Sequence, residues 1–393
     1  MIANEWPLQR LKDITSKIGS GATPRGGKNA YLSKGVSLIR SQNVYDFKFE
    51  DNNLAFISDE QAAELRNVVV QKDDILLNIT GASVARCCLT DPNYLPARVN
   101  QHVALVRLRP DLADARFVLY CINSVHFKSR LLALAQGGAT REALTKTTIE
   151  DFEVLQPPLP VQQRIAGILS AYDELIENSQ RRIKILESMA RALYREWFVH
   201  FRFPGHENHP RVASPLGDIP QGWEVKKFGD MTELNYGKAL KKEDRRNGEY
   251  PVFGSSGIVG THDGALVKGP GIIVGRKGNV GSVFWCDEDF FVIDTAYFVT
   301  SSLPLRYLFY VLPTLNFINS DAAVPGLSRN QAYTLELLVP PALLLESFCE
   351  LAGAFDRQAA TLQRQIQNLR RTRDLLRPRL LSGQIDMAAL DHA

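Results

Sequence analysis

Glu153-Val154-Leu155-Gln156-Pro157-Pro158 opens onto a stretch, residues 161–199, with no proline and a single glycine. Glu336-Leu337-Leu338-Val339-Pro340-Pro341 opens onto a second, residues 343–381, interrupted only by Gly353 and Pro378. The two copies lie 183 residues apart. Proline keeps the residue before it out of the helical region yet is tolerated in a first turn, so each Pro-Pro suits a helix start. In the second stretch apolar side chains fall at Phe355, Ala359, Leu362, Ile366, Leu369, Leu376 and Leu380, in steps of four and three, with Arg373 as the polar interruption. Shifted back by 183, the register runs through Tyr172, Ile176, Ser179, Ile183, Leu186, Ala190, Leu193 and Trp197, interrupted by Ser179. A period of about 3.5 residues held over several turns predicts coiled-coil pairing. The matched registers predict that the two helices pack on each other, antiparallel.

Upstream of each helix the chain repeats again. Trp6-Pro7-Leu8-Gln9-Arg10-Leu11-Lys12-Asp13 returns as Trp223-Glu224-Val225-Lys226-Lys227-Phe228-Gly229-Asp230, 217 residues later. Two offsets on one chain mean two related modules of unequal length, each a globular part followed by a common helical tail. Val68-Val69-Val70, Asp74 to Ile79 and His102 to Leu108 read as short strands in the first, Gly271 to Gly275 and Phe290 to Asp294 in the second. Glycine-rich loops surround them. The fold class expected is α+β: two α/β-type globular domains, 1–156 and 223–339, separated by two long antiparallel coiled-coil helices, 157–200 and 340–393, in a pseudo-two-fold arrangement. Residues 201–222, with Pro204, Pro210, Pro215 and Pro220, read as a linker. From Tyr172 to Trp197 the helix spans about 39 Å, close to the roughly 34–36 Å that separate half-sites one turn of B-DNA apart.

Composition narrows the function. Net charge is only +3, so any DNA contact comes from local patches rather than a basic coat. Five cysteines form no CxxC and no metal-like spacing, which suits a reducing compartment. With no run of eighteen apolar residues and no signal-like leader, a cytoplasmic protein without membrane contact is expected. No GxGxxG lies between a strand and a helix, and no GxxxxGK[ST] occurs, so neither a cofactor nor ATP is expected on this chain. Asp91-Pro92-Asn93-Tyr94 lacks the second proline of an amino-methyltransferase loop and reads as a turn. Asp287-Glu288-Asp289 reads as a solvated turn rather than a metal site. No HExxH occurs, so no catalytic and no metal residues are assigned.

Together these features resemble the specificity subunits of type I restriction-modification systems. The resemblance rests on Ile219-Pro220-Gln221-Gly222-Trp223-Glu224, on Pro157-Pro158-Leu159-Pro160-Val161-Gln162-Gln163-Arg164-Ile165-Ala166, and on Leu380-Leu381-Ser382-Gly383-Gln384-Ile385. Asn78-Ile79-Thr80-Gly81-Ala82-Ser83 with Asn100-Gln101-His102, and Gly275-Arg276-Lys277-Gly278 with Asp294-Thr295-Ala296, match as well. It covers nearly the whole chain, and order and duplication carry it rather than one motif. The second helix start, Leu343-Leu344-Leu345-Glu346, departs from the glutamine-rich pattern. The resemblance implies a non-catalytic subunit that reads a bipartite, asymmetric double-stranded DNA target. It implies docking of two methyltransferase subunits, which use S-adenosylmethionine, and two restriction/translocase subunits, which use ATP and Mg²⁺. A coiled-coil scaffold without sequence-specific DNA binding is the alternative reading.

Base readout needs arginine or lysine for guanine, amides for adenine and hydroxyls for either, while phosphates need basic groups. The candidates in the first module are Thr23, Arg25, Lys28, Arg40, Ser41, Asn43, Thr80, Ser83, Arg86, Thr140, Arg141 and Lys146. In the second they are Lys238, Lys241, Lys242, Arg245, Ser255, Ser256, Arg276, Lys277, Asn279, Arg329 and Asn330. Ser328 to Gln331 stand where Thr145 to Thr148 stand in the first copy.

Overall fold

The structure, a computed structural model, describes residues 6–136, 143–317, 326–385 and 387. It mixes helix and sheet and divides into two compact units. One comprises Met1–Asn178 and Gln365–Ala393, the other Ser179–Arg364.

In the first unit, the strands Leu8–Arg10 and Glu153–Leu155 pair antiparallel and close the globular part on itself. A four-stranded antiparallel sheet orders Thr15–Ser20, Val103–Leu108, Ile75–Asn78 and Cys87–Leu89. Ile75 to Asn78 are all buried, which is why the sequence there is a continuous apolar run rather than an alternation. A second sheet orders Ala55–Ile57, Val36–Ile39, Ala97–Val99 and Val69–Val70, and its two central strands run parallel.

The second unit repeats this plan. Glu224–Lys227 pairs antiparallel with Glu336–Val339. An antiparallel sheet orders Thr232–Tyr236, Ala296–Ser301, Gly271–Gly275 and Val283–Cys286. A smaller sheet places Tyr250–Gly254 between Gly257–His262 and a parallel partner, Phe291–Val292. The expected strands are all present. The repeated sequences around Trp6 and Glu153 supply the first and last strands of one module, those around Trp223 and Glu336 the first and last of the other.

The two long helices are Leu159–Tyr194, continued by a π turn at Arg195–Val199, and Ala342–Leu381. The second runs through both Gly353 and Pro378. Proline 378 falls in the final turn, where it forfeits a single i→i−4 hydrogen bond and no further helix has to continue beyond it. On the first helix Ile176, Ser179, Leu186, Ala190 and Trp197 are buried, with Tyr172, Ile183 and Leu193 half-buried. On the second Leu362, Ile366 and Leu380 are buried, with Phe355, Leu369, Arg373 and Leu376 half-buried. The predicted seam is thus the sheltered stripe of each helix.

In the first unit, Ile165, Ala166 and Leu169 from the start of one helix share a core with Leu380 and Leu381 from the end of the other. Further along, Arg373 meets Asp173 at 2.5 Å, so this part of the pair runs antiparallel. Gln162 is fully buried: its amide oxygen accepts from Asp114 N–H at 3.0 Å and its nitrogen donates to Pro157 O at 2.8 Å. The glutamine-rich motif therefore ties helix to globular part. Leu345 holds the corresponding place 183 residues on and is buried as a hydrocarbon in the second unit's core, which accounts for the departure there. That core gathers Tyr194, Trp197, Phe198, Tyr307 and Phe348. Residues 201–222 hold the hairpin Arg211–Ser214 and Gly217–Pro220, and Phe203 and Ile219 are buried in the same core.

Candidate nucleic-acid interface

One loop frame recurs in both units, defined by backbone hydrogen bonds. In the first, Asn78 N–H donates to Arg86 O at 2.8 Å and Ala85 N–H returns to Asn78 O at 2.8 Å. Ile79 N–H donates to His102 O at 3.0 Å, and Leu144 N–H donates to Ile79 O at 2.8 Å. In the second, Gly275 N–H donates to Ser282 O at 2.7 Å and Gly281 N–H returns to Gly275 O at 2.9 Å. Arg276 N–H donates to Thr295 O at 2.9 Å, and Leu327 N–H donates to Arg276 O at 2.8 Å. The bridges Thr80 with Ala143 and Lys277 with Gly326 complete the match. Ile79-Thr80-Gly81 and Arg276-Lys277-Gly278 hence occupy equivalent places. Gly81 and Gly278 both take positive φ, +70° and +78°, the reason glycine recurs there. After each frame comes a short helix, Lys146–Glu150 or Arg329–Tyr333. Thr145 and Ser328 cap them by accepting from Thr148 and Gln331 N–H, as the sequence alignment of these residues anticipates.

The side chains on the two frames differ. In the first unit Thr23 donates to the Gln101 amide oxygen, the Gln101 nitrogen contacts His102 Nε2 at 3.1 Å, and His102 Nδ1 meets Thr80 Oγ1 at 2.6 Å. This chain holds no arginine or lysine, and its Thr23 end is exposed. Beside it, Arg86 lies 5.0 Å from the Tyr45 ring and Arg40 lies 5.0 Å from the Tyr31 ring. Ser41 offers its carbonyl to Asn78 Nδ2 at 2.9 Å, and Ser83 ends the turn Gly81–Ser83.

The second frame is cationic. Arg276 and Arg329 lie 4.7 and 4.6 Å from the centroid of Tyr236. Arg276 donates to Asp294 O at 3.0 Å and Arg329 to Leu234 O at 3.2 Å. Tyr297 packs 5.1 Å from Tyr236, and burial first pushes its hydroxyl up to about 12. Ser255 abuts this loop through its carbonyl, which accepts from Ser282 Oγ at 2.6 Å. Ser256, Lys277 and Asn279 are exposed around it.

Other candidates stand elsewhere. Asn43 is a correction: it is fully buried, its Oδ1 accepts from Arg40 N–H at 3.1 Å and its Nδ2 donates to Glu50 O at 2.9 Å, so it holds a turn rather than facing a base. Lys146 pairs with Glu150 at 3.4 Å. Arg245 donates to Val259 O at 2.6 Å, while Arg25, Lys238, Lys241, Lys242 and Asn330 are exposed. Thr140, Arg141 and the side chain of Lys28 lie outside the described residues. Sequence reasoning left out Tyr31, Tyr45 and Tyr236, the platforms under the arginines. It had Gln101 and His102 only as a matching motif.

Comparison with known proteins decides the family. The profile described as "Type I restriction modification DNA specificity domain" matches residues 3–188 and 220–337. The chain belongs to this family. It is similar to the type I restriction enzyme MjaIX specificity subunit of Methanocaldococcus jannaschii, 23% identical over 99% of this chain and 95% of that one. It is also similar to the HindI specificity subunit of Haemophilus influenzae, 21% identical over 97% and 100%. Its fold is that of the type I S subunit from M. genitalium, with a TM-score of 0.65, 17% identity and 97% of each chain covered.

A specificity subunit recognises the DNA target and is not itself catalytic; the type I complex carries the enzymatic activity. Such subunits assemble with methyltransferase and restriction subunits. Among the described residues no group of histidine, cysteine or acidic side chains is placed to hold a metal ion, and no helix is long and apolar enough to cross a membrane. The cysteines are free thiols, and burial pushes Cys87 and Cys121 up to about 12, far from a reactive thiolate. Asp91-Pro92-Asn93-Tyr94 is the turn expected, with Asp91 capping Asn93 N–H at 2.9 Å.

Proposed function

We propose that each loop frame faces one half of a split DNA target, so that the first globular module, 1–156, reads one half and the second, 223–339, reads the other. The observation that carries this is the repeated backbone frame bearing unlike side chains: corresponding hydrogen bonds, closing loops that differ by one residue, suit equivalent docking on two duplex segments, and unlike chemistry suits an asymmetric target. In this reading the long helices act as a spacer related by a pseudo-two-fold. They dock two methyltransferase subunits that supply S-adenosylmethionine chemistry and two restriction/translocase subunits that use ATP and Mg²⁺, in the cytoplasm.

The test is selection of duplexes from a randomised pool by the complex of this chain with its methyltransferase subunits. Two short motifs separated by a fixed unread gap are expected. In the Arg276→Ala variant only one motif is expected to weaken; equal loss at both would overturn the assignment. Four residues inserted after Ser179, about one helical turn, are expected to lengthen the gap and leave both motifs intact. An unchanged gap would show that the helices are not the ruler.

A further inference from the structure

Arg276 comes from the frame loop and Arg329 from the first position of the short helix that follows, yet both guanidinium groups lie against one phenol ring, Tyr236. The ring is 48% exposed. Each guanidinium spends one N–H on a backbone carbonyl, Asp294 O or Leu234 O. Among the described residues neither has a carboxylate within ion-pair distance. Two like charges held together without an acid, each lying against an aromatic face and tied by one N–H to a carbonyl, are a preset receptor for acceptor atoms. The first frame differs: at the place of Arg276 it carries Ile79, and beside it runs the chain from Thr23 to Thr80, which holds no arginine or lysine.

Resting on the proposed function, we infer that Arg276 and Arg329 read guanine through N7 and O6 in the half-site faced by the second unit, and that Tyr236 is the residue that positions them. Guanine rather than phosphate follows from the fixation. A phosphate contact is tolerant of orientation, and the exposed Lys238, Lys241 and Lys242 provide charge without any such anchoring. Bidentate reading of a base edge is most selective with a guanidinium whose edge is already aimed, because its donors form a rigid planar fork whereas a lysine ammonium is a rotatable point charge. Stacking on an aromatic ring supplies that aim and the cation–π attraction that holds it.

The experiment is duplex selection by the complex of this chain with its methyltransferase subunits, run for the native protein and for Arg276→Lys, Arg329→Lys, Tyr236→Phe and Tyr236→Leu. The native protein is expected to demand guanine in one motif. Each lysine variant is expected to lose that preference at its own position by roughly 10- to 100-fold, with the other motif unmoved. Tyr236→Phe keeps the ring and is expected to keep the preference, whereas Tyr236→Leu relaxes it at the positions of both arginines. If the lysine variants keep the base preference, with binding to every sequence at most weakened alike and the salt dependence unchanged because the charge is conserved, the pair contacts phosphate and the inference fails. A motif without guanine on the affected side overturns it too. Absence of any motif in the native protein instead overturns the proposed function, so the two failures are distinct. The lysine and phenylalanine variants conserve bulk, so loss of the guanine preference in a complex that still binds duplex cannot be ascribed to unfolding.

Discussion

Replacing Phe348 by alanine is expected to destabilise the second unit by about 3–5 kcal/mol, the cost of removing a large aromatic side chain from a core that cannot collapse around the hole. Phe348 is fully buried. Its ring lies 4.9 Å from Phe198, 5.7 Å from Tyr310 and 6.3 Å from both Tyr194 and Trp197. Edge-to-face contacts of this kind add about 0.5–1.5 kcal/mol each beyond area burial. The lining belongs to both long helices and to the helix Leu305–Val311, so no single backbone shift fills the space. Three of the four tryptophans, Trp197, Trp223 and Trp285, lie in this unit. Tryptophan fluorescence during urea unfolding therefore reports it. The midpoint is expected to fall sharply for Phe348→Ala and by less than half as much for Phe348→Leu. A loss under about 1 kcal/mol, small on the scale of buried aromatic truncations, would show that the aromatic cluster is not what holds this unit.

The helices and the frame strands were legible in the sequence because both depend on periodicity and on side chains that must be apolar. Offset 183 aligns Leu345 with Gln162 and Asp356 with Asp173. Asp173 accepts from Tyr120 and Arg373, Asp356 pairs with Arg306, and each ties its helix in place. Residues 201–222 were less readable. Their prolines signal a connection, yet proline is compatible with a two-stranded hairpin whose edges are free, and the buried Phe203 and Ile219 carry no period to reveal them.

The interface was legible only in part. Asn78-Ile79-Thr80-Gly81 and Gly275-Arg276-Lys277-Gly278 share one glycine, and their equivalence lies in backbone hydrogen bonds that no side-chain comparison displays. Arg276, Arg329, Thr80 and Thr23 were chosen as residue types able to read a base, and they do assemble around the frames. Asn43 was chosen for the same reason and is consumed by a turn, because an amide that suits adenine also suits a backbone. Lys241, Lys242 and Arg245 are candidates by charge alone. Arg245 is committed to the hairpin at Val259 O, and the nearby Arg246 pairs with Asp263 at 3.1 Å. Composition cannot separate a charge that faces a ligand from one that fastens a loop.

Asp74→Ala is expected to destabilise the first unit by about 3 kcal/mol, the lower end of the cost of leaving a partly buried charge without its partner. Strand register sets Ile75 opposite Val106, so Asp74 stands beside Arg107 at the end of the same sheet. Asp74 is wholly buried; Arg107 is 21% exposed. Both carboxylate oxygens accept from Arg107, Oδ1 from Nε and Oδ2 from Nη2, each at 2.8 Å, and Oδ2 also accepts from Gln71 N–H at 2.7 Å. Removing the carboxylate strands the guanidinium and orphans the Gln71 donor, while the partial exposure of Arg107 lets water recover some of the loss. Asp74→Asn should be little better, since its amide nitrogen would turn donors toward donors at one of the two oxygens. The double variant Asp74→Leu with Arg107→Met is expected to lie closer to the native protein than either single change, because an apolar pair of similar volume carries no desolvation cost. Hydrogen exchange of the amides in Ile75–Asn78 and Val103–Leu108 measures this within the first unit. If the double variant proves as unstable as the sum of its parts, the pair does more than neutralise itself, and the Gln71 and Val69 contacts of the two side chains become the reason this buried charge is retained.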